Sequence, residues 1–145
     1  MMRILVAVDG SPHANRALDF AARLARELRE VEVTLINVGH IPIVESPPMG
    51  MPVYVDFGAT EEALERAGRQ ILEDAAKPFA ANNVRATSIY RSGDPAAEII
   101  RAAREGRVDL VIVGARGLSQ FSGLILGSVS EKVLHAAPSP VVVVH

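Results

Sequence analysis

The chain has no cysteine, and that single gap excludes disulfides, thiol nucleophiles and zinc–thiolate centres together. It also suits a reducing cytoplasm, where the protein is expected to reside. Aromatic residues make up only 4%, too few for the stacking platforms that hold single-stranded nucleic acid. Positive charge is not in excess: 15 Lys and Arg stand against 17 Asp and Glu, a net charge of −2. Nucleic acid is therefore not expected as a partner. Long apolar runs are missing as well. None nears the roughly 20 residues of a membrane span, and the run at 4–8 stops at Asp9, too short for a secretion signal. The two lysines, Lys77 and Lys132, stand in no Gly-Lys-Ser/Thr run, so the usual phosphate loop is absent. No Gly-x-Gly-x-x-Gly follows the first apolar run, where Asp9-Gly-Ser11 stands instead, so a dinucleotide site is unsupported. His13, His40, His135 and His145 share no ligand spacing, and no metal site is expected.

What is present is a regular alternation. At 145 residues the chain suits one domain, 1–145, with a single well-buried core. Residues 4–8 are uniformly apolar and 108–113 are apolar but for Asp109, as in strands covered on both faces. Residues 31–38 read as a second strand, 84–91 as a half-exposed strand near an edge, and 141–144 as a last strand of four valines. Between them lie helical patterns. One opens at Ser11-Pro12 and repeats Ala14, Ala17, Leu18, Ala21, Leu24, Ala25 and Leu28. A second spans 60–81, with Pro78 kinking or ending its last turn. A third opens at Gly93-Asp94-Pro95, and a fourth runs from Ser128 to about Ala136. Ser128 and Glu131 have the spacing of a capping box. The segment 39–58 contains Pro42, Pro47, Pro48 and Pro52 and reads as one long loop, equally a lid or a linker.

Five strands alternating with four helices give a doubly wound, mostly parallel α/β sheet of Rossmann-like type. With the two most apolar strands central, the strand order is 3-2-1-4-5. Ligands in such sheets bind where the connections reverse, beyond the carboxyl ends of the strands. Asp9 follows strand one and Gly114 follows strand four, so the two converge on one crevice.

The stretch Gly114-Ala-Arg-Gly117, nine residues, Gly127-Ser128-Val-Ser130 runs from the fourth strand to the fourth helix. Glycines at such a junction let a phosphate reach main-chain amides, assisted by the helix dipole and the hydroxyls of Ser128 and Ser130. Arg116 suits a phosphate partner or a solvated surface position. Asp9 suits the site or a simple Asp-Gly-Ser-Pro turn. Phe57, Phe79 and Phe121 read as packing residues.

Gly-x-x-Gly, nine residues, Gly-Ser resembles the nucleotide-binding pattern of the universal stress protein family. The likeness extends over the Ile-Leu-Val-Ala-Val-Asp start, the long loop after strand two, the Gly-Asp-Pro before helix three and the Pro-Val-Val-Val-Val end. The resemblance implies an ATP-binding domain, commonly a homodimer, acting in stress response. It implies that Ala7 and Asp9 lie at the base and ribose end, with Val38 meeting adenine. Val113 and Gly114 would line the ribose, while Gly117, Gly127, Ser128, Val129 and Ser130 would meet the phosphates. Any magnesium or manganese would arrive on the nucleotide.

No positioned general base or catalytic lysine is evident, so no catalytic residue is assigned and hydrolysis is expected to be slow at most. The competing readings are an ATP-dependent enzyme using the same crevice and a nucleotide-free dimer module. A bare terminal strand of valines at 141–144 would invite aggregation, and the same strand of a second copy is the simplest cover.

Overall fold

The computed structural model describes residues 1–40, 57–117 and 126–145, the side chains of 57–59 excepted. Expectations for the prolines of the 39–58 segment, for Phe121 and for the side chain of Phe57 lie outside the described residues. Strands and helices alternate as β1 (Met2–Ala7), α1 (Pro12–Glu27), β2 (Val31–Gly39), α2 (Phe57–Ala80), β3 (Ala86–Ser92), α3 (Pro95–Glu105), β4 (Leu110–Gly114), α4 (Ser128–Ala136) and β5 (Val141–Val144). All strand pairs are parallel, and the sheet order is β3-β2-β1-β4-β5. This is the doubly wound arrangement expected from the sequence.

The apolar strands are central because both of their faces are covered. Ile4, Val6, Val33, Leu35 and Ile112 point to the side packed by α1 and α2, where Ala17, Ala21, Leu72 and Phe79 meet them. Leu5, Ile36, Val111 and Val113 point to the other side, against Ala96, Ile99, Ala103 and Val133 of α3 and α4. Strand alternation thus feeds two cores from one sheet. The buried stripe of α1 is Ala14, Ala17, Ala21 and Ala25. Alanine at helical spacing brings the helix axis close to the sheet, while Leu18, Leu24 and Leu28 pack at the margin.

Local signals set the helix starts. The Ser11 hydroxyl accepts from the Ala14 N–H at 3.3 Å, with Pro12 opening the helix. Asp94 accepts from the Ala97 N–H at 2.9 Å ahead of Pro95. Boundaries shift for equally local reasons. The α2 helix begins at Phe57, earlier than the pattern suggested, and Pro78 sits in a last turn that ends at Ala80. Asn83 takes a left-handed φ of 57° and the Val84 N–H donates to the Phe79 carbonyl, so β3 starts only at Ala86. Val108 likewise donates to the Ala103 carbonyl, closing α3, which delays β4 to Leu110. Among the described residues no helix is long and apolar enough to cross a membrane.

One close approach locks α2 onto the sheet. A Cβ built on Gly68 would lie 2.5 Å from the Tyr90 ring and nearer still to Oδ1 of Asn37. Asn37 is itself buried, and its Nδ2 donates to the Val8 carbonyl at 2.7 Å. In an unobstructed helix interior, glycine to alanine stabilises by about 1 kcal/mol. Here the clash reverses the sign. Gly68→Ala is expected to destabilise the fold by about 1–3 kcal/mol in urea unfolding; a stabilised variant would contradict this packing.

Candidate functional site

From β1 the chain turns to α1 and the β2 side, whereas from β4 it turns to α4 and the β5 side. Beyond the strand ends this reversal leaves a crevice of about 660 Å³. Ala7, Asp9, Val38, Val113, Gly114, Arg116, Gly117, Gly127, Ser128, Val129 and Ser130, the positions singled out in the sequence, all line it. One wall comes from α2, through Leu64, Ala67, Gly68 and Ile71, and another from the start of α3.

The start of α4 is fixed by a single acceptor. The Ala115 carbonyl receives the Gly127 N–H at 2.7 Å and the Ser130 hydroxyl at 2.7 Å. The N–H of Ala115 donates to the Val144 carbonyl, also at 2.7 Å. The expected capping box is not formed: Gly127 is the N-cap, Ser128 is the first helical residue, and neither Ser128 nor Glu131 caps the helix. Ser130 instead donates its hydroxyl to carbonyls, that of Ala115 at 2.7 Å and that of Gly127 at 2.9 Å, and so anchors the first turn without capping its amides. Among the described residues no side chain caps the first-turn amides of α4 at the crevice wall, whereas Ser11 and Asp94 occupy that role at α1 and α3.

Glycine serves two purposes here. At Gly114 a Cβ would lie 2.6 Å from the His13 carbonyl carbon and 2.7 Å from the Ala14 nitrogen. Its missing side chain admits the backbone of α1 at the crevice wall. Gly117 is different. Among the described residues its added Cβ would meet only Oδ2 of Asp9, at 3.0 Å. The other oxygen of Asp9 accepts from the Ser11 N–H at 2.8 Å. Asp9 thus does both things its sequence context allowed: one oxygen holds the turn and the other faces the glycine loop.

Arg116 has a neighbour the sequence did not show. Its Nη2 stands 3.4 Å from Nε2 of His13, a contact that suits a neutral imidazole accepting from the guanidinium. The Nδ1 of His13 is buried with no partner. Burial first, then the charges of Arg16, Arg116 and His145, hold the pKa of His13 below its ordinary 6.5.

Several lining residues were missed: Asn37, His40, Leu64, Ala67, Gly68, Ile71, Asp94 and Lys132. A polar Asn37 between Ile36 and Val38, near the end of a strand, was a readable signal. The α2 residues were not readable, because their meeting with the crevice depends on tertiary packing. Asp94 was read only as a cap, and Lys132 only as a lysine outside any phosphate loop.

Over residues 1–145 the chain matches the universal stress protein family. It is 38% identical over 145 residues to the universal stress protein YxiE of Bacillus subtilis, across 98% of this chain and 97% of that protein. Among solved structures, the universal stress protein UspA from Lactobacillus plantarum aligns with a TM-score of 0.80 at 21% identity, covering 99% of this chain and 97% of that one. The universal stress protein from Archaeoglobus fulgidus in complex with dAMP aligns with a TM-score of 0.72 at 24% identity, covering 100% and 98%.

The His13 contact has a pH consequence. A histidine whose folded pKa is lowered contributes stability above 6.5 that is lost as the pH falls through 6.5 towards the lowered value. Wild-type protein is therefore expected to lose more stability between about pH 7 and pH 5 than His13→Gln does. Parallel pH profiles in chemical denaturation would contradict it.

Proposed function

We propose, from the premise that the chain belongs to the universal stress protein family, that its crevice binds ATP as a regulatory signal in a homodimer serving stress response. The observation that carries this reading is the uncapped start of α4 facing the same crevice as Asp9, Arg116 and Gly117. Main-chain amides with a helix dipole behind them suit phosphate. The dAMP complex of the Archaeoglobus fulgidus protein supports an adenine nucleotide as the ligand class.

In this reading Ala7, Asp9 and Val38 lie at the base and ribose end. Val113 and Gly114 flank the ribose, and the residues from Arg116 to Ser130 that line the crevice hold the phosphates. Ser130 contributes its amide, since its hydroxyl donates to the Ala115 carbonyl. A magnesium or manganese ion would come on the phosphates: among the described residues no three His, Asp or Glu side chains stand together to hold one. Asp9 and Asp94, the lining carboxylates, each commit one oxygen to a turn or a cap. In this reading neither serves as a general base, and turnover is slow at most. Resident nucleotide would stabilise the fold by mass action and couple cellular nucleotide level to the surface partners meet.

For the dimer, the support is the position of β5. It lies at the sheet margin next to β4. Val142 and Val144 pack towards α1 and Val141 and Val143 towards α3 and α4, which shields the faces of the strand but leaves its outer hydrogen-bonding edge to be covered. The same strand of a second copy, antiparallel across a two-fold axis, does so. The cysteine-free composition suits a cytoplasmic setting.

Gly117→Val tests the site. Its side chain would push on the Asp9 carboxylate and fill the phosphate approach. Titration calorimetry should show ATP affinity at least about 100-fold weaker, while sedimentation still gives twice the 15.5 kDa protomer mass. Unchanged affinity would refute the phosphate assignment, and a monomeric wild type would refute the dimer.

A further inference from the structure

Charge in the crevice is sparsely supplied. Among the described lining residues the lysine and arginine side chains are Arg116 and Lys132, set against the carboxylates of Asp9 and Asp94. The segments 41–56 and 118–125 contain neither lysine nor arginine, so they bring no further such cation. Whatever anion enters must be neutralised by those two side chains, by amides, or by a metal ion it carries.

The two cations stand in different places. Arg116 belongs to the glycine loop and is backed by His13. Lys132 lies one helical turn beyond Ser128 on α4, about 6 Å along the axis. Helical side chains lean towards the N-terminus of their helix, which brings the ammonium back over the first turn. Lys132 also borders a second, shallower groove between α3 and α4, shared with Asp94, Ala96 and Ser128 and continuing past Ala97, Ile100 and His135. It therefore stands on the shoulder where the crevice opens outward, past the amides of residues 128–130. Lys77, the other lysine, is bound to Asp74 at 2.7 Å; among the described residues Lys132 forms no ion pair within 4.0 Å.

Resting on the nucleotide reading above, we infer that Lys132 is the residue that distinguishes phosphate chain length, meeting the outer phosphates of a nucleoside di- or triphosphate and leaving a monophosphate untouched. A monophosphate brings about two negative charges, which the α4 amides, its dipole of about half a charge and Arg116 accommodate. Each further phosphate adds charge and extends past the first turn, where Lys132 is the available cation. The side chain is exposed, so replacing it leaves the core intact.

The test is calorimetry with ATP and with AMP, on wild type, Lys132→Gln and Lys132→Arg, in a chelator so that no divalent ion substitutes for the ammonium. Lys132→Gln should weaken ATP about 10- to 100-fold, the range for a lost charge-assisted hydrogen bond. It should change AMP less than about twofold, and Lys132→Arg should restore most of the ATP affinity. Equal losses for both nucleotides, or no loss for ATP, would overturn the assignment while leaving the nucleotide site in place. Wild-type protein that binds neither would overturn the nucleotide reading itself, and this inference with it.

Discussion

The Ala115 carbonyl is the point on which the crevice depends. One oxygen accepts from the Gly127 amide and the Ser130 hydroxyl, while the amide of the same residue is tied to Val144 at the end of β5. These contacts join the end of β4, the end of β5 and the start of α4 in a buried setting, Ala115 having no exposed surface. A buried carbonyl left without donors would be costly, so Gly127 and Ser130 are held at this place. The first-turn amides of α4 are thereby aimed at the crevice, whatever the loop itself does. Anion binding here would be a by-product of a structural hydrogen bond that had to be satisfied.

The setting for that bond comes from burial. Residues Ile4, Leu5, Val6, Val111 and Ile112 have no solvent exposure, and each strand contributes side chains to both cores. Removing that much apolar surface from water is the dominant favourable term. It makes β1 and β4 neighbours, which in turn makes their ends diverge. The opening between β1 and β4 therefore exists because the interior is closely packed beneath it. Gly114 shows how tight this is: α1 enters so close to β4 that no side chain fits between them.

Much of this was legible in the sequence. Strand order followed from placing the longer apolar runs of β1 and β4 at the centre, although the four valines of β5 show that a margin strand can also feed both cores. The starts of α1 and α3 followed from Ser11-Pro12 and Asp94-Pro95, whose capping chemistry acts within one turn. The α4 start was misread for an instructive reason. Ser128 and Glu131 have the spacing of a capping box, but Ser130 finds a better acceptor in Ala115, fifteen residues away, and spacing rules hold no information about that distance. That Gly114 also makes room for α1 was not readable, because its neighbours there, His13 and Ala14, are a hundred residues away. The contact between His13 and Arg116, 103 residues apart, and the wall formed by α2 depend wholly on tertiary packing. The eleven site positions did converge on one crevice, because strand ends and helix starts are what a parallel sheet gathers together.

Function would then rest on main-chain groups supported by few charges, which fits a binding module better than a phosphoryl-transfer enzyme. Specificity would arise from shape near Val38 and Asp9 and from cations at the phosphate end. The most direct measurement is a map of backbone amide shifts by NMR as ATP is added to ligand-free protein. The account predicts that the largest changes fall on Gly117 and on residues 127–130, with smaller ones at Asp9 and Val38. Shifts confined to another surface, or none at saturating nucleotide, would contradict it.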